Sequence, residues 1–147
     1  MTSGELEAYL HHQIPISRAM EVSVLDPGPA RIVLGAPIGP NTNHRSTAFG
    51  GSVSTLATLA GWALVHRRLQ EHGRAAHVVI QNGAIEYRSP ITTDFRATCD
   101  TLDQVGWRRL LRGLDRHGRG RVRVSVRIEA EGTAAAHFTG AYVALGS

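Results

Sequence analysis

The residues able to do chemistry gather around one dipeptide. Gly50-Gly51 opens a long apolar run. Two glycines at a helix start bring backbone amides to the positive end of the helix dipole, where they can polarise a carbonyl and stabilise an oxyanion. The alternative is tight packing of helix on strand. Asn43, a few residues upstream, can hold an attacking water or the carbonyl oxygen, or can tie down its own loop. His44 beside it is the candidate general base, since imidazole changes charge near neutral pH, although it is one of eight histidines. Thr58 can orient water but cannot act as a base, and it shares a small, polar helix face with Gly51, Ser54 and Gly61. Asn82, on a strand beside the helix, offers a second polar contact or a satisfied sheet amide. The sequence contains no P-loop, dinucleotide fingerprint, His-Glu-x-x-His or Gly-x-Ser-x-Gly pattern.

A second chemical feature is basic. The net charge is +4 and none of the sixteen basic residues is a lysine. Eight of those sixteen arginines, at positions 108, 109, 112, 116, 119, 121, 123 and 127, fall within 20 residues. Arginine's planar fork suits phosphates and carboxylates, so Arg121 and Arg123 are candidates for holding an anionic ligand. The other outcomes are a solvated strand face and a nucleic-acid footprint. No aromatic side chains interleave the arginines for base stacking, which argues against nucleic acid.

The elements that must position these groups follow from periodicity. A chain of 147 residues, 42% of them hydrophobic, is expected to close one core, a single domain over 1–147. Leu6, Tyr9 and Leu10 predict a short surface helix over Gly4–His12, stopped at Pro15. Met20–Leu25 and Arg31–Leu34 flank Asp26-Pro27-Gly28-Pro29 and predict a hairpin. Gly35–Arg45 reads as a shaped loop. Ser46 or Thr47 is expected to cap a helix running to about Glu71. That helix is apolar on two faces and so must be enclosed. Strands are predicted over His77–Arg88, Phe95–Thr101, Gly118–Glu129 and Ala135–Leu145, with an amphipathic helix over Gln104–Arg116. Gly118–Glu129 alternates strictly, arginines on one face and Val122, Val124, Val126 and Ile128 on the other. The order is α+β, one antiparallel sheet wrapping one helix.

The uncharged stretch Ala48–Val65 carries too many Gly, Ser and Thr residues for a membrane span. Met1–Leu10 shows no secretory pattern. The single cysteine, Cys99, excludes an internal disulfide and a multi-cysteine zinc site. The expectation is a cytoplasmic location, no membrane partner and no metal.

Four segments carry a resemblance: Ile14-Pro15-Ile16-Ser17-Arg18-Ala19-Met20, Asn41 to Ser52, Ala60-Gly61-Trp62-Ala63-Leu64, and Ile85-Glu86-Tyr87-Arg88-Ser89-Pro90-Ile91. In these the chain resembles the hotdog-fold acyl-CoA thioesterases, in which a curved antiparallel sheet wraps one long buried central helix. More narrowly it resembles the thioesterase-like domain found alone or as the C-terminal half of some GNAT-type acetyltransferases. The broader pattern has an Asn, five residues, then His-Gly-Gly opening the helix, with a carboxylate nine residues past that His. Asn43 and Gly50-Gly51 keep their places, while Phe49 stands at the His position and Thr58 at the carboxylate position. Glu86 and Asp94 are the carboxylates nearest the motif and the candidates to replace the missing acid.

The resemblance implies a thioester hydrolase acting on acyl-CoA or acyl-carrier-protein substrates by water attack, with no cofactor. It supplies fold and pocket location and leaves the general base unassigned. Taken with the residue readings above, the candidate catalytic set is Asn43, His44, Gly51 and Thr58, and the candidate substrate-binding set is Phe49, Gly50, Ser54 and Asn82, with Arg121 and Arg123 for coenzyme A phosphates. The resemblance also implies a homodimer or dimer of dimers, with pockets where the helix of one protomer meets strands of the other. The rival reading is a non-catalytic acyl-CoA or acyl-carrier binding module.

Overall fold

The computed structural model describes residues 1–146. In chain order the elements are α1 (Ser3–Gln13), α2 (Pro15–Ala19), β1 (Ser23–Pro27), β2 (Ile32–Ala36), α3 (Gly50–Glu71), β3 (Ala76–Tyr87), β4 (Phe95–Leu102), α4 (Gln104–His117), β5 (Arg119–Ala130) and β6 (Thr133–Gly146). The strands form one antiparallel sheet in the order β1-β2-β4-β5-β6-β3. Its concave face wraps α3, which packs against β2, β3, β4, β5 and β6. Among the described residues no helix is long and apolar enough to cross a membrane.

The alternation along β5 buries Val122, Val124, Val126 and Ile128 against α3 and leaves Arg119, Arg121, Arg123 and Arg127 on the outer face. α4 ends where Gly118 takes a left-handed φ of 74°, which turns the chain straight into β5. On the inner face of β6, Tyr142 is fully buried and donates its hydroxyl to Thr58 O at 2.7 Å.

Three expectations are corrected. The N-terminal helix is not superficial: Leu6 and Leu10 are both 0% exposed. A Thr2–Glu5 capping box fixes its start, as Thr2 Oγ1 accepts from Glu5 N (3.1 Å) and Glu5 Oε1 from Thr2 N (3.2 Å). Pro15 ends α1 yet opens α2 as its first residue, a position where a missing amide costs nothing. Neither Ser46 nor Thr47 caps the central helix, whose N-cap is Phe49 with no side-chain hydrogen bond. The third correction concerns Asn82. A bulge between Ile80 and Asn82 shifts the alternation of β3 by one residue, so Gly83 faces Phe138 inside. Asn82 is therefore exposed on the outer face, in register with Ala141 and Arg123, rather than beside the helix.

Candidate active site

The chain is braced just before α3. Asn41, only 1% exposed, donates Nδ2 to Met20 O (3.0 Å) and Pro37 O (2.8 Å), and its own carbonyl accepts Phe49 N at 2.7 Å. Ala48 N donates to Ile91 O at 2.8 Å. Phe49 thus arrives extended, with φ −63° and ψ 131°, and its carbonyl accepts the Ser52 and Val53 amides at 2.9 and 3.1 Å. Between them, the Gly50 and Gly51 amides have no acceptor among the described residues. Tyr87 OH donates to Gly50 O at 2.7 Å, tying this end of the helix to β3. Two free N–H groups at the positive end of a 22-residue helix make a site for developing negative charge on oxygen.

A cleft of about 690 Å³ runs along α3, beginning at Ser54, one turn in from this end. Its floor is Ser54, Thr55, Thr58, Leu59, Trp62 and His66; β3 from Ala76 to Ile80 forms one wall, and Tyr9, Gln13, Ile14 and Ile16 form the other. Ser54 to His66 is twelve residues of helix, about 18 Å. The floor hydroxyls give their hydrogens to the helix backbone: Ser54 and Thr55 both donate to Gly51 O (3.1 and 2.7 Å), and Thr58 donates to Ser54 O (2.8 Å). The lining is mainly apolar, and Gly51 stands one turn beyond its near end.

Ser54 and Thr58 therefore line the cleft, and Gly50 and Gly51 stand at its head. Phe49 is 56% exposed, with its ring against Gly51, where a Cβ would meet ring carbon Cε2 at 2.5 Å. Asn43 is committed to its own loop: Nδ2 donates to Thr47 Oγ1 (2.7 Å), while Oδ1 accepts Arg45 N (2.8 Å) and Thr47 N (3.2 Å). His44 is exposed on the same loop. Glu86 pairs with Arg88 at 2.9 Å, and Asp94 accepts Ile38 N at 3.0 Å, so both carboxylates are engaged elsewhere. Arg121 and Arg123 lie across the sheet from the cleft. Neither has an acidic partner among the described residues, whereas Arg127 pairs with Asp100 and Glu129.

The sequence reading missed an aromatic stack. His66, Trp62 and Tyr9 form a three-ring cluster of near-parallel planes: centroids lie 4.7 Å apart for His66 and Trp62, 5.2 Å for His66 and Tyr9, and 6.2 Å for Tyr9 and Trp62, with interplanar angles of 12°, 16° and 17°. Trp62 Nε1 donates to Val78 O at 2.8 Å. Burial, and secondarily the neighbouring Arg67, lowers the His66 pKa from its ordinary 6.5 and favours the neutral ring. Its Nε2 is buried without a partner among the described residues. The i, i+4 spacing of Trp62 and His66 was a signal for a shared helix face. The Cys99 thiol is pushed up to about 12, by burial first and then by Asp100, which makes it a poor nucleophile.

A curved antiparallel sheet around one central helix with free amides at its head is the hotdog fold, and solved structures share it over nearly their whole length. A protein of unknown function from Chlorobaculum tepidum TLS aligns with a TM-score of 0.89 at 28% identity, covering 99% of this chain and 94% of that one. A protein from Shewanella oneidensis described as a putative thioesterase aligns with a TM-score of 0.87 at 28% identity, covering 97% and 96%. A probable thioesterase from Pseudomonas aeruginosa has a TM-score of 0.80 at 20% identity, covers 99% and 97%, and speaks for the fold alone. The family model described as putative thioesterase (yiiD_Cterm) matches residues 3–146, and the chain belongs to that family.

Proposed function

We propose that the chain, working as one domain in the cytoplasm, hydrolyses acyl thioesters of coenzyme A or of an acyl carrier protein. The observation that supports this most is the pair of unpartnered Gly50 and Gly51 amides at the head of an apolar cleft. The acyl chain lies along the floor from Ser54 toward His66 and the thioester carbonyl sits at Gly51 N–H. Water adds to that carbonyl, the oxyanion is held by the amide and the helix dipole, and the thiolate leaves as the intermediate collapses. Asn43 braces the loop that delivers the turn, and His44 on that loop takes the water's proton from the solvent side.

A second copy of the chain completes the site in this reading. β3 is an edge strand whose Val79 and Ile80 are 47% and 40% exposed beside the open side of the cleft, an arrangement that favours a homodimer or a dimer of dimers. Arg121 and Arg123, on the outer face across the sheet from this cleft, are the candidates for the coenzyme A phosphates. Arg121→Ala then weakens binding of the 3′-phosphorylated thioester more than of its dephosphorylated analogue, and unchanged binding of both thioesters returns these arginines to a solvated face.

A second reading, a binding module without turnover, is favoured by Phe49 and Thr58 standing where an imidazole and a carboxylate would be. A panel of acyl-CoA thioesters of differing length, with thiol release and binding both recorded, separates the two. Slow release with firm binding is expected. Binding without release supports the module, and no binding at any length overturns both.

A further inference from the structure

Beyond His66 the helix runs on past a second cavity of about 470 Å³, which includes Gln70, Gly73 and Arg74 in its lining. The two cavities share four residues: Tyr9, His66, Ala76 and His77. Of these, Tyr9 and His66 present stacked rings, with centroids 5.2 Å apart, and they come from different elements, α1 and α3. Each is held from behind. Leu6 and Leu10 anchor α1 in the core, and Trp62, fixed to Val78 O, packs against both rings. The side chains of Tyr9 and His66 thus stand where the two cavities meet.

We propose that the Tyr9–His66 stack is the end stop of the acyl cleft and sets the length of chain the protein accepts. This rests on the reading that the cleft holds the acyl chain. Gly51 to His66 is fifteen residues of helix, about 22 Å, and Gly73 lies about 10 Å further on. A chain that ends before the rings buries every methylene, and each is worth about fourfold in affinity. A longer chain meets the imidazole and gains nothing more. Taking away either ring joins the cavities and lets the gain continue by several methylenes. With the wall neutral, the chain end meets an apolar surface, in keeping with the lowered pKa of His66.

The test uses S-alkyl-coenzyme A thioethers of increasing chain length, which cannot be hydrolysed, with binding measured by calorimetry. The parent protein is expected to gain about fourfold per methylene up to a break and then level off. In His66→Ala and Tyr9→Ala the break moves to longer chains by the same number of carbons. In His66→Phe, which keeps a ring at the wall, it stays. Should His66→Ala fail to fold, Tyr9→Ala reads the same shift from α1. A parent break that neither alanine variant moves overturns the end stop while leaving the acyl cleft in place. Failure of the parent to bind a thioether of any length overturns the cleft reading and the end stop with it.

Discussion

Gly51→Pro deletes the one atom on which the proposed chemistry turns, the Gly51 amide hydrogen, at a point where the fold does not use it. That amide has no acceptor among the described residues, so proline removes no hydrogen bond, and a first-turn position tolerates its fixed φ. A residue before proline is normally pushed out of helical geometry, partly by a clash with its Cβ, and Gly50 has none. The new ring meets Phe49, whose Cε2 would lie 2.5 Å from a Cβ at position 51, but Phe49 is 56% exposed and can turn into solvent. The melting temperature should therefore stay within a few degrees of the parent, since about 1 kcal/mol corresponds to 2–4 °C in a chain of this size. Loss of one preorganised oxyanion donor costs about 10²–10³ in kcat, or 2.7–4 kcal/mol. Gly50→Pro is the control. Phe49 before it is already extended at ψ 131°, and a Cβ at Gly50 makes only ordinary contact with Tyr87 OH at 3.4 Å. Gly50→Pro removes the neighbouring free amide, and if the carbonyl sits on Gly51 it lowers thiol release less than Gly51→Pro does. A folded Gly51→Pro protein that releases thiol at the parent rate refutes the assignment.

Gly61→Ala places a methyl 2.8 Å from Cε1 and Cζ of the fully buried Tyr142 and pushes its hydroxyl off Thr58 O. Overpacking and the lost hydrogen bond outweigh about 1 kcal/mol of helix propensity, and a net destabilisation of about 2–3 kcal/mol is expected in denaturant melts; an unchanged midpoint contradicts it. His66 is depressed below 6.5 by folding, so the unfolded chain binds its proton first: stability is full above pH 6.5 and is lost as pH falls through the folded value. The melting temperature of His66→Phe should then fall less than that of the parent between pH 7.5 and 5, and parallel curves would show that burial does not hold this imidazole neutral. Asn43→Ala should lower kcat/KM without altering the pH–rate profile, whereas His44→Ala should remove an ionisation from it; an unchanged profile leaves His44 as a loop residue.

Where the sequence was informative, one local rule sufficed. Arg119 to Glu129 alternates without a break, and β5 follows it residue for residue. The central helix was legible because two apolar faces leave no solvent side, and its stop near Gly73 followed from the positive φ that glycine takes there. The misreadings arise where a distant contact overrides the local rule. Ser46 and Thr47 have capping side chains, yet the helix starts at Phe49–Gly50 because Asn41 and Ile91 hold the backbone extended up to that point. The sequence puts Asn82 on a strand beside the helix, and a bulge between Ile80 and Asn82 that no residue type announces turns it outward. The Tyr9–His66 stack joins residues far apart in sequence, so no periodicity within either helix could reveal it.

In the proposed reading the two halves of the site do separable work, so Phe49 and Thr58 are expected to alter rate more than binding. There, affinity would come from methylenes buried along about 18 Å of cleft floor, and neither residue's polarity would enter that contribution. Rate comes from two sources of comparable size: one oxyanion donor is worth about 10²–10³, and a positioned acid or base about 10²–10⁴. The free amides at Gly50 and Gly51 retain the first. The second rests on His44, an exposed loop imidazole with no hydrogen-bonded partner among the described residues to orient it. A base that must find its geometry on each encounter delivers only part of its range. Turnover is accordingly expected to lie well below that of a site with an oriented base, while the order of affinities across acyl lengths is set by the cleft and its end wall alone.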